Sequence, residues 1–399
     1  MVGETDSFGV PWDEEIWVLK LRPDGAVEWQ KTYGGYDQET AHSIRQTDDG
    51  GYIVAGLTWS FGAGEHDIWV LKLSGEGTVE WQKTYGGTGY DSAKSIRQTN
   101  DGGYILAGEC DSFRPEVFSD IWLLKLGRDG TIEWQKAYGG SWLEWAGSVV
   151  QTGDGGYVLA GTTSSSSTGP VDALVAKLGH DGSIEWQKTY GGAGRYSAES
   201  ILQTDDGGYI VAGGTGDFGA GGEDFWLLKL RHDGAVEWQK TYGGTYSDSA
   251  HSIQRTADGG YIAAGGTTYF GDDWGDAWVF KLRHDGSIEW QKNCGGDDYD
   301  TILSIKQTAD GGYIAAGYTR SFKPGSIELW VLKLNPNGSI DPSCDIVRDS
   351  DMSVEDSVCT VNTSSAAVKD TNASPLDSSA MVRETYAPGK TLCASPAAK

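Results

Sequence analysis

One eight-residue phrase, DGGY followed by two apolar residues and AG, occurs six times in the 399-residue chain, starting at positions 49, 101, 154, 206, 258 and 310. Successive starts are 52, 53, 52, 52 and 52 residues apart. A fixed period of about 20 to 50 residues is typical of solenoids, propellers and other repeat arrays. The repeat therefore constrains the fold, and function is expected in the positions that vary between repeats.

Each repeat contains four short segments with the character of β-strands. In the first complete repeat these are HSIRQT from 42, GYIVAGLT from 51, DIWVLKL from 67 and TVEWQKTYGG from 78. β-Branched and aromatic residues dominate them, and Gly and Asp mark the turns between them. Because the third segment occurs seven times, residues 1–344 predict an all-β, seven-bladed β-propeller of four-stranded antiparallel blades.

The phrases DIWVLKL, VEWQKTYGG and DGGYIVAG resemble the short bacterial and archaeal β-propeller repeats often labelled SBBP. The resemblance covers roughly residues 1–340. It implies a propeller fold and a secreted or surface-attached protein. It brings no catalytic residues, because the recurring positions of the family look structural.

A lysine in each third strand stands eight residues before an acidic residue of the fourth strand, across the hairpin that joins them. The lysines are Lys20, Lys72, Lys125, Lys177, Lys229, Lys281 and Lys333, and the acids are Glu28, Glu80, Glu133, Glu185, Glu237, Glu289 and Asp341. Cross-strand charge pairs of this kind contribute about 0.2 to 1 kcal/mol each. We therefore expect a structural role for them rather than acid–base chemistry.

Acidic residues also recur at the loops. One precedes every third strand, as at Asp67, and another opens five of the six first strands, as at Asp91. We expect these carboxylates to cap loop amides; the alternative is a calcium ion or a cationic ligand, because calcium binds converging oxygens. Calcium is the one cofactor that the sequence brings into question, and no metal site is predicted from histidine or cysteine spacing.

The loops between the second and third strands, together with the links between blades, carry aromatic residues that vary from repeat to repeat. In an up-and-down blade both kinds of loop emerge on one face. Aromatic rings among carboxylates suit sugar stacking or a protein interface, whereas the Phe of a recurring SFG phrase could pack under its own loop. The candidate ligand or interface residues are Trp12, Trp59, Phe113, Trp142, Trp145, Phe218 and Trp274.

The C-terminal segment, residues 345–399, has a different pattern: from Val347 it repeats every seven residues, as in VRDSDMS and VEDSVCT. Its Ser, Thr, Asp and Val content favours an extended chain over a coiled coil. The chain starts within a second strand, so the seventh blade lacks its inner strand. We expect the tail to supply that strand, to its own molecule or to a neighbour, through a candidate donor segment with Val354, Val358 and Val361.

Composition and charge narrow the range of expected partners and locations. A net charge of -26 makes nucleic acid an improbable partner, and no apolar run approaches the roughly 20 residues of a membrane span. No leader follows Met1, while three sequons, at Asn337, Asn362 and Asn372, suit a glycosylated extracellular surface.

No catalytic set stands outside the repeats. The sequence therefore predicts a non-enzymatic, extracellular or cell-surface module for self-assembly or adhesion, such as a filament or surface-layer subunit joined through its tail. Its expected partners are copies of itself or other surface proteins. A glycan-binding propeller is the alternative, and an enzyme is third.

Overall fold

The computed structural model describes residues 1–5, 14–112, 119–165, 170–217, 222–268, 275–322 and 326–340, and in the tail 346–349, 353–356, 360–363, 367–370, 376–377 and 381–384. Within these ranges every regular element is a β-strand, and the strands form seven antiparallel sheets. The sheets are the blades of a seven-bladed β-propeller, as predicted. The described part contains no helix that could cross a membrane.

Contacts divide the chain into two units, of which the first contains the first three sheets and most of the fourth. The strands of these sheets are β1 (Val2–Thr5), β2 (Glu15–Leu21) and β3 (Val27–Gly34); β4 (Glu39–Gln46), β5 (Tyr52–Thr58), β6 (Asp67–Leu73) and β7 (Val79–Tyr85); β8 (Asp91–Gln98), β9 (Tyr104–Cys110), β10 (Asp120–Leu126) and β11 (Ile132–Gly139); and β12 (Glu144–Gln151), β13 (Tyr157–Thr163), β14 (Asp172–Leu178) and β15 (Ile184–Gly191).

The second unit contains the fifth, sixth and seventh sheets. Their strands are β16 (Ser200–Gln203), β17 (Tyr209–Thr215), β18 (Asp224–Leu230) and β19 (Val236–Gly243); β20 (Asp248–Arg255), β21 (Tyr261–Thr267), β22 (Ala277–Leu282) and β23 (Ile288–Cys294); and β24 (Asp300–Gln307), β25 (Tyr313–Thr319) and β26 (Glu328–Leu334). In both units the strands of a sheet are neighbours in chain order, so each blade is the predicted meander.

The hydrophobic core lies in layers between successive sheets. The layer between the second and third sheets includes Ile53 and Val70 from one sheet and Leu106 and Trp122 from the other. The third strands are deepest, and in β6, β10, β14 and β18 every residue is buried. A continuous apolar run such as IWVLKL is typical of a strand that is covered on both faces.

A tyrosine hydroxyl links each of five blades to the next. Tyr85 Oη donates to the Gly130 carbonyl at 2.7 Å, and the equivalent bond from Tyr33 to Gly77 is 2.6 Å. The bonds from Tyr138 to Gly182, Tyr190 to Gly234 and Tyr242 to Gly286 repeat this geometry. Gly77 has a φ of 74°, and a Cβ there would lie 2.9 Å from the Trp29 ring. The turn therefore requires glycine for its conformation and for space.

The predicted lysine–glutamate pairs are present, and a second carboxylate joins them. Lys177 Nζ lies 3.4 Å from Glu185 of the fourth strand and 3.0 Å from Asp154 of the DGG turn. Lys72, Lys125, Lys229 and Lys281 make the same two ion pairs. The lysine side chains are almost fully buried, whereas the carboxylates are about half exposed. We call this set the lysine triad.

The first and last blades have partial triads. Lys20 pairs with Glu28 at 2.7 Å, and Lys333 pairs with Asp310 at 2.8 Å. The predicted partner of Lys333, Asp341, lies outside the described residues. Each complete triad joins the turn between the first two strands to the third and fourth strands, so one ammonium group connects all four strands of its blade.

The tail consists of short strands on the outer edges of the blades. They are β27 (Val347–Asp349), β28 (Ser353–Asp356), β29 (Thr360–Thr363), β30 (Ala367–Asp370), β31 (Leu376–Asp377) and β32 (Met381–Glu384). In this order they lie beside the fourth strands of the sixth, fifth, fourth, third, second and first sheets. One seven-residue repeat of the tail therefore corresponds to one blade.

The tail strands keep the same register in successive blades. In the fifth sheet Val354 is the partner of Tyr242 and Asp356 is the partner of Lys240. In the third and first sheets, Val368 and Val382 are opposite Tyr138 and Tyr33, and Asp370 and Glu384 are opposite Lys136 and Lys31. In these three blades the heptad pattern of Val, any residue, and an acid thus faces the KTYG or KAYG segment of the fourth strand.

The expected role of the tail as an inner strand differs from what the structure shows. Val354 and Val361 lie in β28 and β29, on outer edges, and Val358 lies outside the described residues. The physical reason is that the fourth strand of every blade is an unpaired edge, which offers a repeated template for pairing. Among the described residues the first sheet has no strand inside β1, and the seventh has none beyond β26.

Replacement of Lys177 by methionine tests the lysine triad. We expect the free energy of unfolding at pH 7 to fall by about 1–3 kcal/mol, less than for a fully buried pair because water can solvate the two carboxylates left behind. Hydrogen bonds from Thr152 and then Lys177 hold the pKa of Asp154 at about 2, against the opposing effect of burial. The stability that ionised Asp154 contributes to the folded protein is present above about pH 4 and is lost as the pH falls through 2.

Urea unfolding at pH 7 and pH 2.5 measures the loss of stability caused by K177M and the loss of stability on acidification. The triad role predicts a smaller loss of stability on acidification in K177M than in the unchanged protein. The control variant E185Q, which alters a half-exposed partner, should change stability by about 1 kcal/mol or less. Equal stability of K177M and the unchanged protein at pH 7 would contradict the role.

Candidate functional site

The two kinds of loop predicted to share one face contact each other in the structure. The link from the first to the second sheet runs beside the loop between β5 and β6. There Trp59 N donates to Gln38 O at 3.0 Å, and the amides of Tyr36 and Asp37 both donate to Ser60 Oγ at 2.9 Å. These bonds position side chains from both segments on one loop surface.

The predicted aromatic residues differ in exposure. Trp59 is 47% exposed and Trp142 is 56% exposed, so both are accessible to a ligand or a partner. Trp145, in β12, is half-buried. The remaining candidates, Trp12, Phe113, Phe218 and Trp274, lie outside the described residues.

Other aromatic loop residues have structural roles. Phe61 packs with its ring centroid 5.6 Å from that of Trp69, and Phe322 lies 5.9 Å from Trp330 in the same way. Tyr196 is 1% exposed and packs edge-on against the third-strand tryptophan of its blade. The alternative that the phenylalanine of SFG packs against its own blade therefore holds at Phe61, and Phe322 of the related SFK phrase packs in the same way.

Sequence reasoning missed three residues of the loop surface. Tyr36 is 82% exposed and Tyr246 is 51% exposed, and both lie in links between blades. His66 packs between Trp59 and Tyr90, with ring centroids 3.8 Å and 4.9 Å away. The signal for Tyr36 and Tyr246 was available, since both stand within two residues after a YGG phrase, where the repeats vary.

The recurring loop carboxylates are buried and accept hydrogen bonds from the links. Asp91, 0% exposed, accepts from Gly87 N at 2.9 Å and from the Ser112 hydroxyl. Glu39, also 0% exposed, accepts from Gly35 N at 2.8 Å and from Thr58 Oγ1 at 2.8 Å. Glu144, Asp248 and Asp300 bond the corresponding link amides. The expectation that these carboxylates cap loop amides is thus confirmed.

Carboxylates of two neighbouring blades converge on the first glycine of four links, at Gly34, Gly86, Gly243 and Gly295. A Cβ on Gly86 would lie 1.7 Å from Asp67 Oδ1 and 2.7 Å from Asp91 Oδ2. Burial raises the pKa of Asp91 to about 7, and the charges of Asp67 and Asp111 add to that increase. Burial also raises the pKa of Asp67, Glu39 and Asp248. Only glycine leaves room for two carboxyl groups here.

Glycosylation was the remaining site prediction, and calcium was the one cofactor left open. Within the described ranges no group of three or more His, Cys, Asp or Glu side chains is arranged to hold a metal ion. Asn337 is exposed, and its Oδ1 accepts a hydrogen bond from Ser339 Oγ at 2.7 Å. Asn362 lies in β29, and Asn372 lies outside the described residues.

Comparisons with known proteins find likenesses among solved structures. No protein-family model matches the sequence, and no curated protein matches it. Among solved structures, the crystal structure of Chaetomium thermophilum Sqt1 is similar with a TM-score of 0.38 and 12% sequence identity. The match covers 75% of this chain and 84% of that chain.

The buried carboxyl groups predict a stability that depends on pH. Because the pKa of Asp91 in the folded protein lies above the unfolded value of about 3.9, its contribution is present below about pH 4 and is lost as the pH rises through 7. We expect D91N to reduce the loss of stability between pH 5 and pH 8. Unfolding temperatures at the two pH values measure this, and an unchanged difference in D91N would contradict the interpretation.

Proposed function

We propose that this protein is a non-enzymatic structural module that acts outside the cell or on its surface, where its tail joins it to copies of itself. A filament or surface-layer subunit is the form of assembly we favour. Membership of the SBBP repeat family is part of the same proposal. The propeller presents two kinds of surface, the outer blade edges and the loop surface.

The register of the tail carries the proposal. Each heptad adds a strand through main-chain pairing with a KTYG-type segment, as Ala367–Asp370 does on β11. Strand addition to an exposed edge is a common way of joining separate proteins, since the main chain supplies affinity and alternate side chains supply specificity. A tail that matches its own blades equally matches the identical blades of a second copy.

Exchange of identical elements between copies is an economical route to assembly. The six tail strands are short, two to four residues each, so any one of them contributes little alone. Together they act as linked binding segments, and linkage raises the overall affinity without new contacts. Partial exchange, in which some heptads bind a neighbour's blades, would join copies into a chain.

The chemistry of the recurring side chains supports a role without catalysis. The lysine triads place every ammonium group between carboxylates of the same blade, as Lys125 does between Asp101 and Glu133. The buried loop carboxylates cap link amides, as Glu144 does for Gly140 at 3.1 Å. Groups that elsewhere serve acid–base chemistry here hold the blades together.

Glycan binding is the second candidate, favoured by the exposed aromatic rings of the loop surface. Trp59 and Tyr36 lie on two segments that hydrogen-bond each other, and the imidazole of His66 fixes one side of Trp59. An exposed ring that packs against a neighbouring side chain keeps its orientation, and such a ring suits stacking on the apolar face of a sugar. Assembly is preferred because the tail pairing repeats in successive blades, whereas the exposed rings differ from blade to blade.

Negative-stain microscopy of three purified chains at equal concentration tests the proposal. The chains are the full sequence, a version that ends at Ser343, and a full-length variant with Val354, Val368 and Val382 changed to proline. Proline removes a backbone donor from the strand ladder. We expect rods or filaments with the full chain and single propellers with the other two.

A matched variant with threonine at the same three positions is the control. Threonine keeps the β-branched shape that favours a strand, so this variant should still assemble. Thermal unfolding of each chain checks that the propeller remains folded. Single propellers in every sample would contradict assembly through the tail and would direct the search to ligands of the loop surface.

A further inference from the structure

Two arginines on neighbouring inner strands form an unusual positive site in an acidic protein. Arg45 is the seventh residue of β4, and Arg97 is the seventh residue of β8. The two strands touch directly, since Ile96 N donates to Ser43 Oγ at 3.3 Å. The net charge of the chain is -26, so a paired cationic site stands out against its surroundings.

One guanidinium nitrogen of each arginine has no partner in the protein part that the structure describes. The Nε atoms of Arg45 and Arg97 are buried, and neither has a hydrogen-bond partner among the residues that the structure describes. Burial lowers the pKa of Arg97 to about 9, and the charge of Arg45 adds to that decrease. Burial lowers the pKa of Arg45 as well. Each arginine is thus half-buried, and the two guanidinium groups are close enough to repel each other.

The other ionisable groups of these two strands do not pair with the arginines. Glu39 and Asp91 open the strands, six residues before the arginines, and bond the link amides of Gly35 and Gly87. Lys94 lies 3.9 Å from Glu109 and so has its own carboxylate. Burial, and then the charge of Lys94, lowers the pKa of His42 to about 4, so this imidazole is neutral at pH 7. The site keeps the positive charge of its two guanidinium groups.

The fold does not require arginine at this position. The equivalent residues of the next three inner strands are Val150, Leu202 and Gln254, which are all neutral. Buried charges without a partner destabilise a protein, because desolvation is not offset by attraction. Two half-buried like charges side by side therefore indicate a counter-charge that the described residues do not supply.

We propose that Arg45 and Arg97 bind an oxyanion between the inner strands of the second and third blades. Guanidinium groups match the oxygens of carboxylates, phosphates and sulfates through paired N–H donors. The ligand is a small oxyanion, either inorganic or the carboxylate of an acidic sugar. The site is separate from the tail strands on the outer edges, and it does not rest on the proposed assembly.

Thermal unfolding of the full chain in different anions tests the site. Sodium phosphate, sulfate, acetate and glucuronate are compared with chloride at constant ionic strength and pH. We expect at least one oxyanion to raise the Tm in a saturable way, by about 4 °C at a hundredfold excess over its Kd. A response to phosphate and sulfate alone identifies an inorganic ligand, whereas a response to glucuronate beyond that to acetate identifies an acidic sugar.

The variants R45Q and R97Q introduce the residue that Gln254 provides in the sixth blade, so the scaffold should accept them. We expect each to lose the saturable shift and to unfold in chloride at the same temperature as the unchanged protein or higher, since a like-charge contact is removed. R255Q is the control, because Arg255 pairs with Asp205 on another blade. It should keep the response to oxyanions.

Two outcomes would overturn the proposal. One is the absence of any saturable shift in the unchanged protein, or its persistence in R97Q. The other is a Tm in chloride that R97Q lowers more than R255Q does, because this would show that Arg97 makes a stabilising contact within the protein.

Discussion

The structure depends on a buried lysine ammonium that must be neutralised within each of five blades, the second to the sixth. In the second blade Lys72 lies 2.9 Å from both Asp49 and Glu80, and so connects the DGG turn with the third and fourth strands. Burial alone would lower the pKa of this lysine, but the bonds to Asp49 and Glu80 raise it. Because the charge holds four strands together, the blade surfaces are fixed, and the loops and outer edges remain available for other roles.

The outer edges of a propeller can pair with other chains, because each fourth strand presents unpaired main-chain groups. The tail covers these edges with one short strand per blade, from β27 on the sixth sheet to β32 on the first. One seven-residue repeat of the tail corresponds to one 52-residue repeat of the propeller. This correspondence explains why a chain with no sequence features of a coiled coil should nevertheless repeat every seven residues.

Much of the fold could be predicted from the sequence because its signals are local. The strands and turns, and pairs such as Lys177 with Glu185, follow from alternation and spacing along one hairpin. Contacts between distant segments left no such signal, so the bond of Lys177 to Asp154 and the placement of β28 on β19 were missed. At the loop surface, exposure of Trp59 and Trp142 depends on how neighbouring loops pack, which spacing does not reveal.

The register of the tail is the central claim, and disulfide trapping tests it most directly. Lys240 and Asp356 are partners across β19 and β28, so the double variant K240C/D356C should form a disulfide under mild oxidation. The mismatched variant K240C/V354C, which is two residues out of register, should not form one. Mass analysis of peptides from the oxidised proteins shows which bond is present. A disulfide in the first variant alone is the predicted result, and equal trapping in both variants, or none in either, would contradict the account.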